Sequence, residues 1–235
     1  MQTVFPAYRI FPLGDSAITI DFGNSINEDI NRLVIQLFRD FSENPVPLMI
    51  EAVPAYSSLT VYYDLFAASK QIEPGRVQEW MIGEIKLRLV KEPPTIADET
   101  RLIRIPVCYE KEFAPDMDFL SARNHVSTED IIRLHTAKTY HVYMLGFLPG
   151  FSYLGEVDEA IAINRKPQPV PVAPGSVGIA GRQTGIYPFH SPGGWQVIGR
   201  TPLRLFDSGN NPPTLLQAGD KVQFFSISRH EFANY

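Results

Sequence analysis

The glycines and prolines of this chain are crowded into one stretch. Residues 146–219 hold 12 of its 16 glycines and 10 of its 20 prolines. Proline fixes φ and removes an N–H donor, while glycine is poorly suited to a helix interior, so this density favours short strands and shaped turns over helices. Within the stretch, Pro167 to Gly199 carries a single charged residue, Arg182. The remainder of the chain shows regular hydrophobic periodicity instead. Composition therefore divides the molecule into a periodic first part and a strand-and-turn second part.

In the first part, Arg9 to Ser16 leads into Ala17–Phe22, whose apolar/polar alternation marks a half-buried strand. Ser25-Ile26-Asn27-Glu28 matches a capping box, and Ile26, Ile30, Leu33, Val34, Leu37, Phe38 and Phe41 then recur at helical spacing until Asn44-Pro45. Strands are expected over Leu48–Val53 and Leu59–Tyr63, and Glu73-Pro74-Gly75 opens a second helix. Strand–helix–strand–strand–helix predicts a small two-layer α+β domain of ferredoxin-like type. Lys91-Glu92-Pro93-Pro94 is the best boundary, dividing residues 1–93 from 94–235.

Beyond it, Thr100–Val107 alternates as a strand, Asp116–Asn124 reads as a short helix, and Ser127-Thr128-Glu129-Asp130 caps another. Short strands follow over Tyr140–Leu145, Ser176–Ala180, Gly194–Gly199, Leu203–Phe206 and Lys221–Ser226. Five or more strands at such spacing predict a closed or nearly closed barrel, a mostly-β second domain.

Charge and cysteine usage narrow the function. Asp plus Glu exceeds Lys plus Arg by 26 − 21, giving −5, with no basic cluster, which argues against nucleic-acid and membrane-surface binding. The single Cys108 excludes an internal disulfide and, with no signal-like or membrane-spanning apolar run, fits the cytoplasm. Cys108 reads as a small buried hydrophobe, and the five histidines include no zinc-ligand spacing, so no metal site is expected.

Phosphate-loop and nucleophile-elbow motifs are absent. Gly175-Ser176-Val177-Gly178-Ile179-Ala180-Gly181 has the wrong spacing for a dinucleotide loop. Its glycines either serve turns and close strand packing or expose amides as an anion nest. The block from Gly181 to Trp195 gathers an amide, hydroxyls, a phenol, an indole and an imidazole with one guanidinium and no carboxylate. Such groups recognise a neutral polar ligand such as a lactam, with Arg182 and Arg200 suited to a carboxylate or phosphate. The alternative is a turn region whose Tyr187 and Trp195 are simply core.

Gly181-Arg182-Gln183-Thr184-Gly185-Ile186-Tyr187-Pro188, Ser191-Pro192-Gly193-Gly194-Trp195 and Ile198-Gly199-Arg200-Thr201-Pro202 together resemble the 5-oxoprolinase B-subunit family, which includes the kinase inhibitor KipI. Val53–Leu59, Ile105–Tyr109, Arg133-Leu134-His135 and Leu145–Gly155 fit as well, so the resemblance runs along essentially the whole chain. It implies a cyclophilin-like second domain and a chain inactive alone. The implied partners are a 5-oxoprolinase C subunit, of carboxyltransferase type, together with an A subunit, in an ATP-dependent complex that opens 5-oxo-L-proline to L-glutamate. The alternative is inhibition of a sensor histidine kinase. On the enzyme reading, Gln183, Thr184 and Arg200 are assigned to catalysis and Ser176, Tyr187, Ser191 and Trp195 to the lactam substrate. The amides of Gly175, Gly178 and Gly181 are assigned to the cofactor ATP. Pro167, Pro169 and Pro171 stand where the family pattern carries basic residues.

Overall fold

The computed structural model describes residues 6–73, 75–89 and 100–235, which divide into two compact units, Met1–Glu99 and Thr100–Tyr235. The expected boundary at Pro93-Pro94 lies outside the described residues.

The first unit begins with β1 (Arg9–Pro12) and β2 (Ala17–Asp21), followed by α1 (Glu28–Glu43), β3 (Met49–Pro54), β4 (Ser58–Tyr63), α2 (Leu65–Gln71) and α3 (Val77–Leu89). The helix start shifts from the expected Ser25 to Asn27. The Asn27 side chain lies two residues nearer and accepts from the N–H groups of Asp29 and Ile30 at 2.9 and 3.0 Å. Val34, Leu37 and Phe41 of α1 and Met81 and Ile85 of α3 share a core with Ile18, Ile20, Leu59 and Val61 of the sheet.

The ferredoxin-like expectation is overturned here. Sheet order is β1-β2-β4-β3 and every pairing is antiparallel. A ferredoxin-like unit takes the edge strand beside its first strand from the chain after the second helix; here that place, next to β2, is filled by β1, which precedes it. The reason lies in Arg9–Pro12. Rather than a lead-in, it is an edge strand in register with β2, from Arg9 opposite Asp21 to Pro12 opposite Ile18, and Arg9 Nη2 meets Asp21 Oδ2 at 2.5 Å. The fourth strand thus arrives by an N-terminal hairpin, not as a return strand after the last helix.

The second unit contains β5 (Leu102–Cys108), α4 (Met117–Asn124), α5 (Thr128–Ala137), β6 (Thr139–Leu145), β7 (Ser152–Leu154), β8 (Val170–Val172), β9 (Ser176–Ala180), β10 (Gln183–Ile186), β11 (Ser191–Gly193), β12 (Gln196–Arg200), β13 (Lys221–Ile227) and α6 (Arg229–Phe232). Seven strands close a mixed barrel in the order β10-β7-β6-β13-β5-β12-β9, with β13 parallel to β5 and the other pairings antiparallel. Strands β8 and β11 form a separate ribbon. Leu203–Phe206 is not a strand; only Phe206 makes an isolated bridge, to Thr214. Ile105, Val107, Val142, Leu154, Val177, Ile179, Ile186 and Phe224 form the barrel core, joined by Leu120 of α4 and Ile131 of α5. Cys108 is free and buried, and burial pushes its thiol pKa up. No helix among the described residues is long and apolar enough to cross a membrane.

Candidate functional site

Strand β9 organises the predicted site residues and separates them. Gln183 stands opposite Ala180 at one end of β9, and Arg200 stands opposite Ser176 at the other. Four residues of strand span about 13 Å. Gln183 follows the turn that carries Arg182, whose Nη2 lies 2.9 Å from Glu156 Oε2. Arg200 donates from Nε to Pro174 O at 2.7 Å and lays its guanidinium over the Phe232 ring, 5.9 Å from the centroid.

Tyr187 and Trp195 come together in a second hydrophobic cluster with Phe151, Val172, Ala180 and Val197. Phe151 packs edge-on against both, its centroid 5.1 Å from Tyr187 and 5.5 Å from Trp195. Burial pushes the Tyr187 phenol pKa up, opposed by hydrogen bonds from the backbone N–H groups of Trp195 and Gly194. Phe147 caps the cluster with φ +70° and a largely exposed ring. Ser191 lies in the ribbon beside Val172, and its Oγ is buried with no hydrogen-bond partner among the described residues. Ser176 is buried, its amide bonded to Ala173 O and its carbonyl to Tyr187 N–H.

Two of the three glycines assigned to ATP have their amides committed within the chain. The Gly175 amide donates to Tyr187 O at 2.7 Å and the Gly181 amide to Ile163 O at 2.7 Å. Gly178 lies mid-strand between Gly185 and Val197, where a Cβ would stand 3.0 Å from Trp195 Cβ. At Gly175, φ is +80° and a Cβ would meet Thr201 O at 2.2 Å. At Gly185 it would meet Ser152 O and Trp195 Cζ3, both at 2.9 Å. Gly175, Gly178 and Gly185 admit close backbone and ring packing.

Thr184 is fully buried and its hydroxyl is committed internally. Oγ1 donates to Gly178 O at 3.0 Å and accepts from His135 Nε2 at 3.0 Å, while His135 Nδ1 accepts from Tyr109 Oη at 2.8 Å. Tyr140 Oη donates to His135 O at 2.8 Å, and the imidazole stacks on Phe224. The chain Tyr109–His135–Thr184 has the hydrogen-bond order of a proton relay. Burial nevertheless holds the imidazole neutral, with its pKa lowered to about 3, and pushes the Tyr109 phenol well up. A group that neither meets solvent nor titrates near neutrality serves to position the core.

Sequence reading missed Asp116. Its Oδ2 accepts Lys166 Nζ at 2.5 Å and the Val197 N–H at 2.7 Å, tying the start of α4 to the segment before β8 and to β12. Lys166 stands 50 residues away in the chain, a separation that leaves no local pattern to read.

A chain of this kind, with one mixed barrel unit and one small antiparallel sheet unit, matches the carboxyltransferase domain, subdomain C and D, over residues 8–216. It is 46% identical over 231 residues to the 5-oxoprolinase B subunit of Bacillus subtilis, covering 97% of this chain and 96% of that one. The chain belongs to the 5-oxoprolinase B-subunit family. Among solved structures, TTHA0988 superposes with a TM-score of 0.75 at 34% identity, over 90% of this chain and 40% of that longer one. The urea amidolyase of K. lactis shares the fold, with a TM-score of 0.71 at 19% identity, over 97% of this chain and 15% of that one.

Proposed function

We propose that this chain is the B subunit of an ATP-dependent complex that hydrolyses 5-oxo-L-proline to L-glutamate, and that it works only with its partner subunits. This reading is carried by the 46% identity, across nearly the full length of both chains, to the Bacillus subtilis 5-oxoprolinase B subunit. The partners proposed are a C subunit of carboxyltransferase type together with an A subunit. In the overall step, water adds across the lactam bond: the C–N bond breaks, the carbonyl carbon gains oxygen and becomes a carboxylate, and the nitrogen becomes an amine. Bound to the complex, ATP supplies the driving force for opening a stable lactam.

This chain's share is binding and orientation. Gln183 and Arg200 stand too far apart for one compact lactam to touch both. We assign the substrate-facing role to the Gln183 end. Arg200 holds the Pro174–Gly175 turn through Pro174 O, and Thr184 secures the core. The buried aromatic cluster with Tyr187 and Trp195 keeps the intervening face rigid and dry. The preorganised donors polarise the lactam oxygen rather than attack it.

The test is reconstitution with the C and A subunits, following 5-oxoproline-dependent ATP hydrolysis and glutamate release. Omission of this chain is expected to abolish both, and Gln183→Ala to lower kcat/KM at least tenfold with folding intact. Glutamate formation that persists unchanged without this chain overturns the reading.

A further inference from the structure

On the barrel unit, a groove of about 630 Å³ is lined by Phe119, Arg123, Asn164, Arg165, Arg182 and Gln196 among others. That size suits a small organic molecule. Three guanidinium groups line one groove on a chain whose formal net charge is −5. Arg123 lies in the last turn of α4, Arg165 follows the Ile163–Gly181 bridge, and Arg182 sits in the turn between β9 and β10.

The charges are unevenly compensated. Arg182 pairs with Glu156, and neighbouring Lys166 is taken by Asp116. Arg123 and Arg165 have no carboxylate partner among the described residues; the Arg165 guanidinium carbon instead lies over the Trp195 ring, 5.8 Å from its centroid. Two uncompensated cations beside a third guanidinium repel one another and are relieved by an anion. The groove also has oriented neutral groups. Gln196, 4% exposed, donates Nε2 to Asn164 O at 3.2 Å, so its carboxamide is aimed. Asn124 donates to both Ala160 O and Ala162 O at 2.9 Å, holding the end of α4, and with it Arg123, against the 159–167 segment. Phe119, 55% exposed, supplies an apolar wall.

We propose that this groove binds a small carboxylate that also bears an amide N–H. Arg123 and Arg165 take the carboxylate, the side-chain oxygen of Gln196 accepts the amide N–H, and Phe119 covers the carbon skeleton. Planar guanidinium groups match a carboxylate by paired N–H bonds. A free phosphate is drawn by the same charge but leaves the Gln196 acceptor unused. The choice of 5-oxo-L-proline as probe rests on the proposed function, because that lactam carries both groups.

The experiment titrates the full chain with 5-oxo-L-proline, 2-pyrrolidone (an amide without a carboxylate) and inorganic phosphate, following arginine Nε–H and tryptophan indole N–H resonances. Saturable shifts with 5-oxo-L-proline are expected, weakened at least tenfold in Arg123→Gln and Arg165→Gln and again with 2-pyrrolidone. Both arginines are exposed, and unchanged urea midpoints check that the variants fold. Absence of saturable shifts, equal binding by the double variant, or tighter binding of phosphate than of 5-oxo-L-proline each overturns the proposal. A reconstituted complex whose KM for 5-oxoproline is unchanged by the double variant overturns the groove and leaves the function standing. A chain that binds the probe in the groove but supports no glutamate formation does the reverse.

Discussion

His135 Nε2 lies 3.0 Å from Thr184 Oγ1, and the direction of that bond is fixed by its neighbours. Thr184 gives its one proton to Gly178 O, so the proton between the pair belongs to His135, and Nδ1 is left as the acceptor for Tyr109 Oη. Each of these polar groups is satisfied without a ligand, and the helix α5 is joined through them to β9 and β10.

Removal of the Thr184 hydroxyl therefore tests stability before chemistry. Thr184→Val keeps the shape and leaves the His135 N–H buried without an acceptor. A loss of about 1–3 kcal/mol in urea unfolding is expected. Activity per folded molecule in the reconstituted complex should stay within about twofold of the parent. Full stability with lost activity would return Thr184 to the catalytic set.

The same imidazole makes the fold acid-sensitive. His135 has a folded pKa of about 3 against 6.5 for a free imidazole, so between those values the unfolded chain binds the extra proton. Stability contributed by the neutral ring is whole above pH 6.5 and is lost as pH falls toward 3, with a limiting slope of about 1.4 kcal/mol per pH unit. Thermal unfolding from pH 7 to pH 4 should show a falling Tm. His135→Gln, although less stable at pH 7, should fall less steeply. Parallel profiles for the two proteins would refute the assignment.

The glycine-rich segment yields a matched pair of substitutions. A Cβ at Gly175 would meet the backbone oxygen of Thr201 at 2.2 Å, on a residue with φ +80°, and backbone cannot step aside as a flexible side chain does. Gly194 has open space around it. Gly175→Ala is expected to cost more than about 2 kcal/mol and to disturb the Gly175–Thr201 backbone contact, while Gly194→Ala changes stability by less than about 1 kcal/mol. If Gly175 served only to cradle phosphate, Gly175→Ala would fold normally and lose ATP dependence alone; chemical denaturation read by tryptophan fluorescence separates the two.

Local signals in the sequence carry far, and their failures have physical causes. Ser127 caps α5 as expected, accepting from Asp130 N–H, and Ser176–Ala180 forms β9 with the predicted bounds. These elements are specified by neighbours in the chain. Gln183–Ile186 is equally a barrel strand, yet its local pattern does not mark one. Its glycine is set by the ring of Trp195, a tertiary partner. Arg9–Pro12 shows no alternation of its own and becomes a strand by pairing with β2, which changes the topology of the first unit. Within the candidate site, composition locates the right stretch, but it has no access to the register of β9 that parts Gln183 from Arg200. Nor does it bring Arg123 and Arg165 to the groove beside Arg182, because their approach depends on how α4 and the 159–167 segment pack on the barrel.

Asp116 is the residue on which that packing turns. Its carboxylate is 18% exposed and Lys166 is 14% exposed at side-chain level, so the 2.5 Å pair is mostly withdrawn from water and also satisfies the Val197 N–H. Breaking a buried pair from one side strands the other charge; with this residual exposure, Asp116→Ala should cost about 2–4 kcal/mol. Asp116→Asn keeps an oxygen for Val197 and should cost less. Lys166→Met leaves the carboxylate bonded to Val197 and should fall between the two. In the double variant Asp116→Ala/Lys166→Met, the loss should be smaller than the sum of the singles by at least about 1 kcal/mol. Because the pair ties α4 to the segment carrying Arg165, Asp116→Ala should also weaken 5-oxo-L-proline binding in the groove several-fold. Strict additivity of the two single losses in urea unfolding would show that the pair does not couple these elements.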